Sequence, residues 1–111
     1  MENLRFNNFL SLDIRVGTVM EVKIFEKARK PAYQVWIDFG ELGIKKSSAQ
    51  ITDLYSPEDL IGKQVIAVVN FPARQIADFM SECLILGIPD EEGKVVLLQA
   101  ERKVSNGLKI A

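Results

Sequence analysis

Histidine is absent from this chain of 111 residues. With it go the usual general base near neutral pH, the commonest zinc ligand and every Ser-His or Cys-His arrangement for nucleophilic catalysis, so an enzyme is not expected. Cysteine is nearly absent too. Cys83 stands alone, which excludes an internal disulfide or a multi-thiolate metal site and suits a reducing, cytoplasmic setting. No excess of either charge is present: 14 basic against 15 acidic side chains give a net charge of -1, so any nucleic-acid site has to be a local patch. No apolar run approaches the ~20 residues of a membrane span, and Met1-Glu2-Asn3-Leu4-Arg5 lacks the basic-then-apolar build of a signal peptide. Neither membrane insertion nor a cofactor is expected. At this length a single domain buries only about two thirds of its unfolded surface, and a partner subunit would add to that.

What the chain does have is period-two patterning. Ile14, Val16, Thr18, Met20, Val22 and Ile24 alternate with Asp13, Arg15, Glu21 and Lys23, predicting one long half-buried strand with a bulge or sharp bend at Gly17. Tyr33, Val35, Ile37 and Phe39 repeat the pattern up to a turn at Gly40-Glu41-Leu42-Gly43, so the second and third strands read as a hairpin. Ser56-Pro57-Glu58-Asp59 combines an N-cap serine, a proline at the first helical position and acids in the first turn, predicting a short helix to about Ile61. Continuous apolar runs at 65–69, 83–88 and 95–98 are taken as core strands, the last two joined by the turn Pro89-Asp90-Glu91-Glu92-Gly93. Asn106-Gly107 marks a final turn, and Phe6, Phe9 and Leu10 share one face at helical spacing. Short strands with one capped helix between the third and fourth fit a five-stranded Greek-key barrel, although the pattern alone also admits an SH3-like barrel.

Four segments, in order, resemble the tRNA-binding domain family. They are Asp13-Ile14-Arg15-Val16-Gly17-Thr18-Val19, the stretch from Leu54 to Lys63, Val68-Val69-Asn70-Phe71-Pro72-Ala73-Arg74, and Ser81-Glu82-Cys83-Leu84. The resemblance covers nearly the whole chain. It implies an all-β OB-fold: one domain over residues 1–111, with extensions at 1–12 and 99–111 engaged in dimerisation. Two departures from the family pattern, Cys83-Leu84 in place of Gly-Met and Phe71-Pro72-Ala73-Arg74 in place of a basic turn, are similar to the CsaA-type export-related chaperone branch, as are residues 46–52 and 104–110. That branch implies a homodimer that holds unfolded preproteins and passes them to a SecA-type secretion motor.

Three groups of residues are candidates for function. Ser48, Gln50, Asn70, Ser81 and Glu82 offer donors and acceptors for an extended peptide, with Phe71, Phe79 and Met80 for apolar contact and Arg74 beside them. Phe71 and Phe79 read equally as core or dimer seam. Arg29, Lys30, Lys45, Lys46 and Arg74 can meet at the mouth of such a barrel to contact RNA phosphates or an acidic protein surface, or can be plain solvated charge. Trp36 lies on the polar side of its strand, where it can stack on a base or be covered by Phe6 and Phe9 or by a second subunit. Phe6, Phe9, Leu10, Val104, Leu108 and Ile110 are the expected dimer contacts. Gly62-Lys63-Gln64 is no phosphate loop, since Pro57 and Gln64 stand where a glycine and a hydroxyl residue are required. The leading expectation is a non-catalytic export chaperone; the alternative is a structure-selective tRNA-binding protein.

Overall fold

A computed structural model describes residues 3–111. In chain order it contains α1 (Phe6–Leu10), β1 (Ile14–Ile24), β2 (Tyr33–Asp38), a 3-10 turn (Gly40–Leu42), β3 (Ile44–Ala49), α2 (Pro57–Leu60), β4 (Gln64–Val68), β5 (Arg74–Ile76), β6 (Phe79–Ser81), β7 (Leu84–Ile85), β8 (Gly87–Pro89) and β9 (Val95–Leu97). Five strands form one antiparallel sheet in the order β3-β2-β1-β4-β7. The sheet curls nearly shut, because Ser47 Oγ donates to the Cys83 carbonyl at 2.8 Å and the Glu82 amide donates to the Lys46 carbonyl at 2.8 Å. This is the all-β OB-like barrel that the sequence pattern and the family resemblance imply.

The barrel interior follows from alternation. Tyr33, Val35 and Ile37 on β2 are buried while Gln34, Trp36 and Asp38 are not fully so. Val19, Phe39, Val65 and Ala67 complete the layer, and Leu60 closes one end. Burying each large aliphatic side chain contributes roughly 1.5–3 kcal/mol. α2 is positioned to deliver Leu60 by a capping box: Ser56 Oγ accepts from the Asp59 amide at 3.2 Å and Asp59 Oδ2 accepts from the Ser56 amide at 3.0 Å. Those two bonds hold the Asp59 carboxyl below its usual range. Cys83 is part of the core, and its desolvation pushes the thiol up to about 12.

Three expectations need correction. The bulge in β1 falls at Met20, not Gly17: Val19 pairs with Ile37 and Glu21 with Trp36, leaving Met20 unopposed. Gly17 is required for another reason, since a Cβ there would lie 2.6 Å from Ile37 Cγ2 and 2.9 Å from the Asp38 carbonyl. Residues 83–88 are not one strand. β7 pairs with β4, β8 pairs with β9, and Leu86 links them by donating to Ile66 and accepting from Leu98. The β5–β6 hairpin was not anticipated at all: its strands have three residues each, too short to show a period, and its turn uses Ala77 at φ 52° rather than a glycine.

The end of the chain is bound back onto β1. Gly107 N donates to Val16 O at 2.7 Å, Val16 N to Leu108 O at 3.1 Å and Ile110 N to Ile14 O at 3.0 Å. Asn106 Oδ1 accepts from Thr18 Oγ1 and Gln64 Nε2, so residues 104–106 lie across β1 and β4. Among the described residues no helix is long and apolar enough to cross a membrane.

Candidate functional site

A groove of about 910 Å³ lies between the loop joining β1 to β2 and the β5–β6 hairpin. The loop is tied at its base, where Phe25 N donates to Ala32 O at 3.0 Å. Phe25, Ala32 and Phe79, with Ala28, Trp36 and Ile76 packed on them, form a small second core that joins loop to hairpin. The Phe25 and Phe79 rings are 5.4 Å apart and Trp36 meets Phe79 edge-on at 6.0 Å. Above this core Lys27 Nζ binds Asp78 Oδ2 at 2.7 Å. That contact holds the Asp78 carboxyl below and the Lys27 ammonium above their ordinary ranges.

Among the described residues, the groove is lined by four cations, Lys27, Arg29, Lys30 and Arg74, and by no carboxylate. Its floor is apolar, with Ile51, Ile76, Leu84, Ile85 and Val95, and Ser48, Gln50 and Gln75 supply neutral polar groups. A smaller pocket of about 230 Å³ adjoins it and shares Ser48, Arg74, Ile76 and Leu84; Phe71, Pro72, Ser81, Glu82 and Cys83 complete its lining. Arg74 thus lines both the cationic groove and the adjoining pocket. Among the described residues no group of His, Cys, Asp or Glu side chains is placed to hold a metal ion.

Of the residues proposed for RNA, Arg29, Lys30 and Arg74 meet in the groove, while Trp36, Lys45 and Lys46 do not line it. Trp36 is half-buried against Phe79, with Lys23 Nζ 5.3 Å from its ring centre, so the hairpin covers it rather than Phe6 and Phe9. Lys46 Nζ sits 5.1 Å from the centre of the Phe79 ring. Of the residues proposed for peptide, Ser48, Phe71, Arg74, Ser81 and Glu82 line the smaller pocket and Gln50 the groove. Phe79 is 5% exposed and belongs to the second core. Met80 is exposed outside both concavities, and Asn70 lies outside them too.

Several of these polar groups already have internal partners. Asn70 Oδ1 accepts from Asp13 N at 2.9 Å and its Nδ2 donates to Ser11 O at 2.8 Å. Ser81 Oγ accepts from Ser48 N at 3.0 Å and Glu82 Oε1 from Lys46 N at 3.0 Å, so both side chains satisfy the edge of β3. At the termini, Phe6, Leu10, Leu108 and Ile110 are exposed while Phe9 and Val104 are half-buried. Sequence reasoning overlooked Lys27, although it begins the same basic run as Arg29 and Lys30. It also missed the groove floor, whose residues read as ordinary core.

Residues 14–109 match the family described as "Putative tRNA binding domain". The chain is 38% identical over 109 residues to a methionine–tRNA ligase of Parabacteroides distasonis, covering 98% of this chain but only 16% of the ligase. The chain therefore spans about a sixth of the length of the curated relatives it matches. Among solved structures, chaperone CsaA from Bacillus anthracis str. Ames superposes with a TM-score of 0.94 at 55% identity, covering 99% of this chain and 100% of that one. A CsaA chaperone protein from Picrophilus torridus gives 0.93 at 49% identity, covering 98% and 100%. With the barrel order, the basic groove and a match running from β1 to the C-terminal segment all in agreement, the chain belongs to the tRNA-binding domain family.

Proposed function

We propose that this chain is a non-catalytic tRNA-binding module whose groove takes the backbone of an RNA loop or single-stranded end. One observation carries the reading: a chain with a net charge of -1 gathers Lys27, Arg29, Lys30 and Arg74 around one groove, with no carboxylate in its lining among the described residues. Such segregation makes a local site for phosphates without a strong overall field. Family membership supports the same reading. The absence of an aromatic side chain from the groove lining means that phosphate contacts, not base stacking, supply the affinity.

Titration with tRNA across a salt series tests this. Each of Arg29→Gln, Lys30→Gln and Arg74→Gln is expected to weaken binding and to flatten the log K against log salt slope by ~0.7, the value for one single-strand phosphate contact. Lys45→Gln, outside the groove, is expected to leave the slope unchanged. Equal effects from Lys45 and the groove residues would overturn the assignment.

A second reading is favoured by the likeness to the two CsaA structures over their full length. In it the smaller pocket, with Phe71, Pro72 and Leu84 beside Ser48, Ser81 and Glu82, holds unfolded preprotein segments in the cytoplasm, and a homodimer delivers them to a SecA-type secretion motor. Binding of an unfolded preprotein segment that is insensitive to salt and lost in Phe71→Asp, which alters the smaller pocket and not the groove, would favour this reading over the first.

A further inference from the structure

Among the described residues, Asp78 is the one carboxylate in ion-pair contact with a cation that lines the groove. Its partner Lys27 is 51 positions away in sequence, on the opposite wall. The pair is not what holds the walls together, because Phe25, Ala32 and Phe79 pack beneath it and both charged side chains are more than 60% exposed. An exposed pair of this kind contributes little to stability. Its effect is therefore electrostatic: an acid is held against a cation of an otherwise acid-free lining. The hairpin turn, with Ala77 at φ 52°, and the Gln75 Nε2 bond to the Ala77 carbonyl fix the tip from which Asp78 projects.

We infer that the Asp78 carboxylate is a built-in competitor for ligand phosphate at Lys27, so that binding in the groove exchanges one anion for another at that ammonium. The inference rests on the reading of the groove as a phosphate-backbone site. It has a specific consequence. In the wild type, Lys27 adds little net attraction, since each phosphate it gains displaces a carboxylate. Three cations, Arg29, Lys30 and Arg74, then supply the contacts, and among the described residues none of the three is in an ion pair. Removing the Asp78 charge releases a fourth contact without changing the shape of the groove.

The test titrates two probes, unfractionated tRNA and inorganic tripolyphosphate, over a salt series against wild type, Asp78→Asn, Asp78→Glu, Lys27→Met and the double variant. Glu58→Gln serves as a control for net charge, because Glu58 lies on α2 and lines neither concavity. Asp78→Asn is expected to bind both probes about three- to tenfold tighter, with the tRNA slope steeper by ~0.7. Asp78→Glu should match wild type. Lys27→Met alone should weaken binding, because it leaves the Asp78 carboxylate unpaired beside the groove, while the double variant should lose the whole gain of Asp78→Asn and return to about wild-type affinity and slope. A gain in Glu58→Gln equal to that in Asp78→Asn, or a gain over wild type that survives in the double variant, would overturn the proposal, as would unchanged tripolyphosphate binding in Asp78→Asn. If tRNA binds no variant while tripolyphosphate shows the Lys27-dependent gain, the exchange at Lys27 stands and the tRNA reading fails. Thermal melting of each variant confirms that the exposed substitutions leave the fold intact.

Discussion

Asn70, expected as a ligand contact, has both ends of its carboxamide engaged within the chain. It follows β4, and its carboxamide spans Asp13 N and Ser11 O, fastening the segment before β1 to the end of β4. A position that matches a family motif is a poor guide here, because an amide that suits a peptide backbone suits the chain's own backbone equally well. Each bond is worth about 1 kcal/mol net, so Asn70→Ala is expected to lower unfolding stability by about 1–2 kcal/mol in urea titration. Unchanged stability with lost ligand binding would return Asn70 to the site. Phe79 makes the same point for apolar residues: at 5% exposure it anchors the second core, and its loss would disturb the groove by removing the wall. Nothing in the residue itself distinguishes the two roles. Only its position on a hairpin invisible to period counting does.

Among the elements, α2 was legible to within a residue of its end because its signal is local: Ser56, Pro57 and Asp59 satisfy the first turn by themselves. β2 was legible because six residues alternate without interruption. β1 was legible as a strand but not in phase, since a bulge is a relation between two strands and Met20 carries no mark of it. The β5–β6 hairpin was illegible, and with it half of the groove. The cap gives a prediction. Ser56→Ala is expected to cost about 0.5–2 kcal/mol by denaturant titration, through fraying of the turn that delivers Leu60. Acid should act on the same turn. The folded pKa of Asp59 is depressed, so its contribution is present above the ordinary carboxylate value of 3.8 and is lost as pH falls through the lower folded value. Asp13 follows the same course through its bond to Arg15. The protection factor of the α2 turn amides, their exchange taken relative to the intrinsic rate at each pH, is expected to fall between pH 5 and pH 2, and to stay level there in Asp59→Asn.

At the scale of the whole molecule, the barrel leaves an apolar surface at its ends. Phe6 is 72% exposed, Leu108 54% and Leu10 50%. These lie on α1 and on the C-terminal segment, outside the five-stranded sheet. A two-fold interface of about 800 Å² per subunit would cover a patch of this kind. Sedimentation is expected to show a dimer at micromolar concentration, shifted to monomer by Phe6→Glu with Leu108→Glu; a wild-type monomer would refute it. The charge segregation around the groove was not legible at this scale, because a net charge of -1 averages it away. The C-terminal segment has a consequence of a different kind. Since Lys109 bridges to Arg15 and Ile110 binds Ile14, the chain enters and leaves the barrel at one spot. A fold with adjoining entrance and exit is portable: a longer protein can carry it as a pendant on a short stalk without stretching across it. That suits a chain which matches about a sixth of the length of the ligases it resembles and the full length of the two CsaA structures.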